Sequence, residues 1–246
     1  MSLQYQTDDE AQSEPADEVS GEIATPNPPL YTYILIGAII AVALVQLGTG
    51  LRASTDNAGF DKQAFINSRE YWRILTGAAL HGSVLHVAMN CYAFYSFGRI
   101  VEMLSNRAHL AIVFLLSALG GGVLSLIFMP DGLSVGASGG IVGLIGYLLT
   151  YAFRRRRFIS PEFRKSLLMN IGFILIFGLV LYDVIDNFGH IGGLVTGAVY
   201  GLIQIPADEY ADPREASSVV EAVGIGAVGV YVATCIFSIL VILRLV

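Results

Sequence analysis

Seven separate stretches of this chain are apolar over a length that crosses a bilayer, and no other feature narrows its fold as much. A hydrocarbon core of roughly 30 Å needs about 20 mostly apolar residues in a helix. Stretches of that kind occupy residues 31–51, 83–103, 109–129, 133–153, 167–185, 187–205 and 219–243. The composition agrees: 54% of the 246 residues are hydrophobic and 14% charged, with a mean hydropathy of +0.65. A water-soluble domain is not built this way. The fold expected is therefore an all-α polytopic membrane protein.

Residues 1–30 stand apart. They carry Asp8, Asp9, Glu10, Glu14, Asp17, Glu18 and Glu22, no Lys or Arg, and end in Pro26, Pro28 and Pro29, which reads as a disordered acidic tail. A cleaved signal peptide needs a positive amino-terminal region, and none is present, so 31–51 reads as a retained first span. Loops rich in Lys and Arg stay on the cytoplasmic side. With the amino terminus inside, that side holds Arg99, Arg107, Arg154, Arg155, Arg156, Arg157, Arg164, Lys165 and Arg214, against Arg52, Lys62, Arg69, Arg73 and Arg244 opposite. The expected protein is a multi-pass component of the cell membrane with a cytoplasmic amino terminus. A net charge of -6 and the lack of aromatics among the arginines argue against nucleic acid as a partner.

The informative residues are the polar ones inside the spans, because such groups are costly in lipid and mark function. The second span opens with His81, His86 and Asn90, the fourth with Gly136-Ala137-Ser138-Gly139-Gly140, and the sixth with Asp186, Asn187, His190 and Gly193. Serine becomes a nucleophile when an imidazole within hydrogen-bond reach takes its proton. Ser138 and His190 supply those parts, each near the start of a span opening on the same face. His86 and Asn90, four residues apart, turn through roughly 400° and project from one helix face, suited to donating hydrogen bonds to an oxyanion beside the Ser138 N–H. His81, five residues before His86, is expected to face elsewhere. Gly189, Gly193 and Gly197 in one span and Gly136, Gly139, Gly140, Gly143 and Gly146 in the other let two helices approach closely.

Competing motifs fail on context. Gly136 to Gly140 also satisfies G-x-S-x-G, but no strand precedes it as a soluble hydrolase elbow requires. H-E-x-x-H is absent, and His81 and His86 do not share a helical face, so no metal site is expected. Cys91 and Cys235 both fall in spans and read as packing residues, with neither a disulfide framework nor metal spacing. Asp183 and Asp186 are assigned to the loop and helix start before His190.

Together these residues resemble the rhomboid family of intramembrane serine proteases over about residues 31–205. The resemblance rests on Gly136-Ala137-Ser138-Gly139, on His190 with Gly193 and Gly197, on His86 to Asn90, on Trp72-Arg73 in the first external loop, and on Gly98 and Glu102 closing the second helix. It implies a six-helix core with a Ser138–His190 dyad and no acid, an oxyanion site of His86, Asn90 and Ser138, and structural support from Gly136, Gly139, Gly193, Gly197, Trp72, Arg73 and Glu102. It implies cleavage of transmembrane protein substrates near the outer face, with no cofactor. Two positions depart from the family pattern: Val142 stands where an aromatic often packs on the histidine, and Ser105 and Asn106 occupy the neighbourhood of a usual glycine after Glu102.

The organisation expected is thus an acidic cytoplasmic tail (1–30), a six-span catalytic core (31–205), and a linker with a seventh span (206–246) in which no motif is readable. The loop 52–79 mixes charges with Phe60, Phe65, Tyr71, Trp72 and Ile74, a pattern suited to the membrane interface, where Trp72-Arg73 would serve as a brace. Two other functions fit parts of the pattern. A non-catalytic rhomboid-like binding protein would keep the fold without the dyad, and a small-solute transporter would use polar residues to line a path, although no internal repeat is visible.

Overall fold

The computed structural model describes residues 28–208 and 210–246, so residues 1–27 of the expected acidic tail lie outside the described residues. The chain opens with helix α1 (Leu30–Thr49). An external segment follows, holding α2 (Leu51–Ala58), the two-residue strand β1 (Phe60–Asp61), α3 (Lys62–Asn67) and α4 (Arg73–Thr76). Next come α5 (Val84–Leu104), α6 (Arg107–Phe128), the short strand β2 (Leu133–Ser134), α7 (Ser138–Arg154), α8 (Pro161–Val180), α9 (Asn187–Gln204) and α10 (Ser218–Ile242).

The protein is an all-α polytopic membrane protein in which seven long helices correspond to the seven apolar stretches. Four of them, α1, α6, α8 and α10, are long and apolar enough by themselves to cross a membrane. The other three, α5, α7 and α9, carry the polar and glycine-rich sequences. Local signals fix most of the helix starts. The side chains of Ser83, Asn106, Ser160, Asp186 and Ser217 accept hydrogen bonds from backbone N–H groups three residues on, satisfying donors that a first helical turn leaves orphaned. Helix α1 is capped from outside, since Glu102 accepts from the Thr32 N–H and from the Thr32 hydroxyl, both at 2.7 Å. Helix α7 has no side-chain cap at all.

Three boundaries differ from the sequence reading. The 133–153 stretch becomes helical only at Ser138, because β2 pairs antiparallel with β1, Phe60 opposite Ser134 and Asp61 opposite Leu133. The 167–185 stretch begins two turns earlier, where the Ser160 cap and Pro161 at the first helical position start α8, and ends at Val180. His81 lies ahead of α5, which starts at Val84 behind the Ser83 cap.

Helix α7 is the centre of the bundle: residues 140–148 are buried without interruption, enclosed by α5, α6, α8 and α9. Phe94 stacks on Phe114 at 4.6 Å and Phe114 meets Tyr231 edge-on at 4.9 Å, so α5, α6 and α10 share one aromatic core. Helix α8 touches α7 and α9 only lightly and leaves Phe173, Ile176, Leu179 and Val180 exposed, the surface expected of a lipid-facing helix. The external segment is itself folded, with Phe60, Phe65 and Tyr71 in successive edge-to-face contacts at 5.5 and 5.2 Å.

Candidate active site

Ser138 is the first residue of α7, and the turn leading into it depends on Gly136. That residue has φ +127°, where side chains are strained. A Cβ there would also sit 2.7 Å from His86 Cε1 and 2.8 Å from its Nε2, while lying 3.8 Å from Ser138 Oγ. The glycine therefore brings the His86 imidazole edge over the turn that carries the serine. The Gly136 N–H donates to the Gly77 carbonyl at 2.9 Å, tying the turn to the segment between α4 and α5. The first backbone bond of α7 runs from Ile141 to Ala137. With no side-chain cap, the N–H groups of Ser138 and Gly139 have no helical acceptor and stay available at the positive end of the helix.

His190 lies in the first turn of α9, its N–H bonded to the Asp186 carbonyl at 3.1 Å. Its Nε2 is 2.8 Å from Ser138 Oγ, a hydrogen bond across 52 residues of chain. The helices can come this close because glycine faces glycine. A Cβ on Gly193 would lie 2.8 Å from the Gly139 carbonyl carbon, and one on Gly197 would lie 2.6 Å from that of Gly143. Backbone rather than a movable side chain opposes each. Among the described residues His190 Nδ1 is buried without a hydrogen-bond partner, so none of their carboxylates accepts from this imidazole. Val142, the departure from the family pattern, is buried within α7.

His86 and Asn90 project from one face of α5 as expected. Asn90 is buried and uses Nδ2 to donate to its own helix at the His86 carbonyl, 3.0 Å away, leaving a second amide hydrogen. The expectation for His81 is corrected: its ring meets that of His86 at 4.9 Å and 74°. The helical rotation rule does not apply to it because α5 has not begun there. It is fully buried, and Gln46 of α1 brackets its backbone, accepting from the His81 N–H at 3.0 Å and donating to its carbonyl at 3.1 Å.

Asp186 is the helix-start residue expected, and it does more. Its Oδ1 accepts from the Gly189 N–H at 2.8 Å, and its Oδ2 accepts from the Ser134 hydroxyl at 2.6 Å and from the Ser125 hydroxyl. Lys62, completely buried, donates to Ser134 Oγ at 2.7 Å and stands 3.9 Å from Asp186 Oδ2. Burial holds this ammonium below its ordinary pKa of 10.5, against the opposing pull of Asp186 and Asp61. The sequence treated Lys62 as one more loop cation. Its burial arises from the β1–β2 pairing, which no local pattern announces. Asp183 lies in the exposed turn before α9.

The remaining expected residues lie away from the dyad. Arg73 is buried, donating to the Gly59 carbonyl at 2.8 Å and to Glu70 at 2.5 Å, and its guanidinium covers Trp72 at 4.7 Å. Trp72 in turn meets Phe237 of α10 at 5.4 Å. Both therefore brace the external segment. Gly98 admits Thr32, whose Oγ1 would be 2.8 Å from an added Cβ. Gly98 and Glu102 thus act on the same residue of α1, one making room for Thr32 and the other bonding it.

A cavity beside the dyad is lined by Ser138, His190, Gly136, Ser134, Asp186 and Ile74 among others. Ser138 Oγ and His190 Nε2 meet at its wall, with free N–H groups at the start of α7 and an imidazole edge from α5 close by. A hydroxyl with a base in place, facing several donors, is an arrangement that can carry out acyl transfer.

The Rhomboid domain family model matches residues 68–207. The chain is 31% identical over 172 residues to rhomboid protease GluP of Bacillus subtilis, covering 69% of this chain and 34% of that protein. It is 33% identical over 145 residues to the mitochondrial RHOMBOID-like protein 6 of Arabidopsis thaliana, covering 58% of this chain and 47% of that one. Inactive rhomboid protein 1 of Bos taurus is 30% identical over 139 residues, 56% of this chain and 16% of the relative. The chain spans between about a third and a half of the length of the first relatives it matches.

Proposed function

Since the chain belongs to the rhomboid family, we propose that it is an intramembrane serine endopeptidase that hydrolyses peptide bonds in or near the transmembrane segments of other membrane proteins. The observation that carries this reading is the 2.8 Å hydrogen bond between Ser138 Oγ and His190 Nε2. His190 takes the serine proton as Oγ attacks the substrate carbonyl, then returns it to the leaving amine; water repeats the sequence to release the acyl group. The developing oxyanion is met by the Ser138 N–H at the uncapped start of α7, by His86 and by the free amide hydrogen of Asn90, each such donor being worth about 10²–10³ in rate. No step requires a metal or cofactor.

The same bond argues against the inactive members of the family and against transport, since neither needs a serine held on a base. By the distribution of Lys and Arg, the amino terminus is cytoplasmic in the cell membrane and the dyad opens toward the outer face. Residues 31–205 form the catalytic core. Substrates are segments whose helix unwinds readily near that face, where Gly or Pro weakens it.

The test uses full-length protein reconstituted in liposomes with a single-span substrate, and fluorophosphonate labelling in parallel. Wild type cleaves and labels, while folded Ser138→Ala does neither and His190→Ala cleaves at a rate reduced by several orders of magnitude. Labelling that persists in Ser138→Ala places the nucleophile elsewhere and ends this reading.

A further inference from the structure

Helix α10 carries no sequence motif, yet one of its residues reaches the turn that presents Ser138. Tyr231 is fully buried, and its hydroxyl donates to the Ala78 carbonyl at 3.0 Å, across 153 residues. The neighbouring carbonyl, that of Gly77, accepts from the Gly136 N–H at 2.9 Å. Gly77 is itself wedged: a Cβ there would lie 2.9 Å from the Phe60 N and 3.0 Å from the Ser134 carbonyl oxygen. The chain from α10 to Ser138 is therefore short: Tyr231 holds Ala78, the adjoining Gly77 holds Gly136, and Gly136 is two residues before Ser138.

The ring of Tyr231 makes a second approach. It stands edge-on to Phe114 at 4.9 Å, and Phe114 fills the space beneath Gly140, where its Cδ2 and Cε2 would be 2.6 Å from an added Cβ. The first turn of α7 is thus supported from below through Phe114 and from the side through Ala78, with Tyr231 common to both. Elsewhere on α10, Thr234 and Ser238 spend their hydroxyls on their own helix, at the Val230 and Thr234 carbonyls.

Resting on the protease reading above, we infer that Tyr231 is a positioning residue for the reaction, and that the seventh span belongs to the catalytic machinery by fixing where the Ser138 N–H and Oγ point. A buried tyrosine that loses its hydroxyl leaves the Ala78 carbonyl unpaired in an apolar site, at a cost that a rearrangement of the 77–80 segment relieves. That rearrangement displaces Gly136 and with it the serine turn, and a misplacement of about 1 Å at a reacting centre costs up to about 100-fold in rate.

Tyr231→Phe keeps the ring and its contact with Phe114 and removes only the hydroxyl. Ser238→Ala, equally buried but bonded only within α10, is the control. Fluorophosphonate labelling of the full-length reconstituted protein gives kinact and KI separately, and hydrogen exchange followed by mass spectrometry reports the backbone of 77–80 and 134–140. Expected for Tyr231→Phe is a kinact lowered by roughly tenfold with KI within about twofold, and faster exchange in both segments; Ser238→Ala leaves both unchanged. A Tyr231→Phe protein whose kinact matches wild type, or whose exchange in 134–140 is unaltered, overturns the inference, even if its Tm falls. Wild type that fails to label overturns the protease reading instead, and the exchange measurement still decides whether Tyr231 holds the turn.

Discussion

Replacing Gly193 by alanine tests the closeness of α7 and α9 directly. The added methyl would overlap the Gly139 carbonyl oxygen and stand 2.8 Å from its carbonyl carbon. Restoring an ordinary carbon–oxygen contact of about 3.2 Å requires the helices to part by more than about 1 Å, since the opposing atoms are backbone and cannot swing aside. His190 is one turn before Gly193 on the same helix, so the 2.8 Å bond to Ser138 opens to about 4 Å, beyond hydrogen-bonding range. Over-packing costs about 1–3 kcal/mol of stability, so activity is read per folded molecule. The misplacement costs about 10- to 100-fold in kcat. The assay is cleavage of a single-span substrate in liposomes, normalised to folded protein. Gly37→Ala in α1, where nothing lies within 4 Å of the new Cβ, is the control and retains wild-type activity. Gly193→Ala with kcat within twofold of wild type would falsify the claim that glycine contact sets the dyad distance.

Two further outcomes follow from other parts of the molecule. Glu102→Ala removes the one carboxylate oxygen that accepts both Thr32 hydrogen bonds and uncaps α1; a stability loss of about 1–2 kcal/mol is expected by thermal unfolding in detergent, with fluorophosphonate labelling per folded molecule unchanged, whereas a wild-type Tm would show that α1 needs no external cap. Lys62 binds its proton less tightly folded than unfolded, so the unfolded state holds more protons and stability gains as pH rises from the folded pKa toward 10.5. The Tm of wild type relative to Lys62→Met therefore rises over that alkaline range, and a difference independent of pH would refute the assignment of a strained buried ammonium.

The architecture was readable where the governing physics is local. Length and apolarity give the seven long helices, and Asp186 reads as the start of the helix that carries His190; the caps at Ser83 and Asn106 emerged only with the structure. The pairing of Ser138 with His190 was readable because a serine and a histidine inside lipid-length segments have few other reasons to be there, and because glycines at helical spacing flank both. Where the pattern was misread, one unread local signal and one contact distant in sequence had intervened. His81 was placed on a helix that the Ser83 cap starts later, and residues 133–137 were counted as a span although Phe60 and Asp61 draw 133–134 into a bridge. Lys62 and Tyr231 gave no sign of their importance, since one resembles any loop lysine and the other any aromatic in a spanning helix.

The sequence by itself determined that this chain lies in a membrane, that it builds seven long helices, and which few polar side chains those helices carry, because hydrophobic length and the cost of polar groups in lipid act within short segments. Only the tertiary structure decided that Ser138 meets His190 at hydrogen-bond distance, that Asp186 is occupied by Ser125, Ser134 and the start of α9 rather than by the histidine, and that Tyr231 of the last helix bonds the Ala78 carbonyl beside Gly77. Those facts depend on how closely two glycine surfaces pack and on which buried carbonyl finds which donor, and such pairings form only when residues far apart in the chain are brought together.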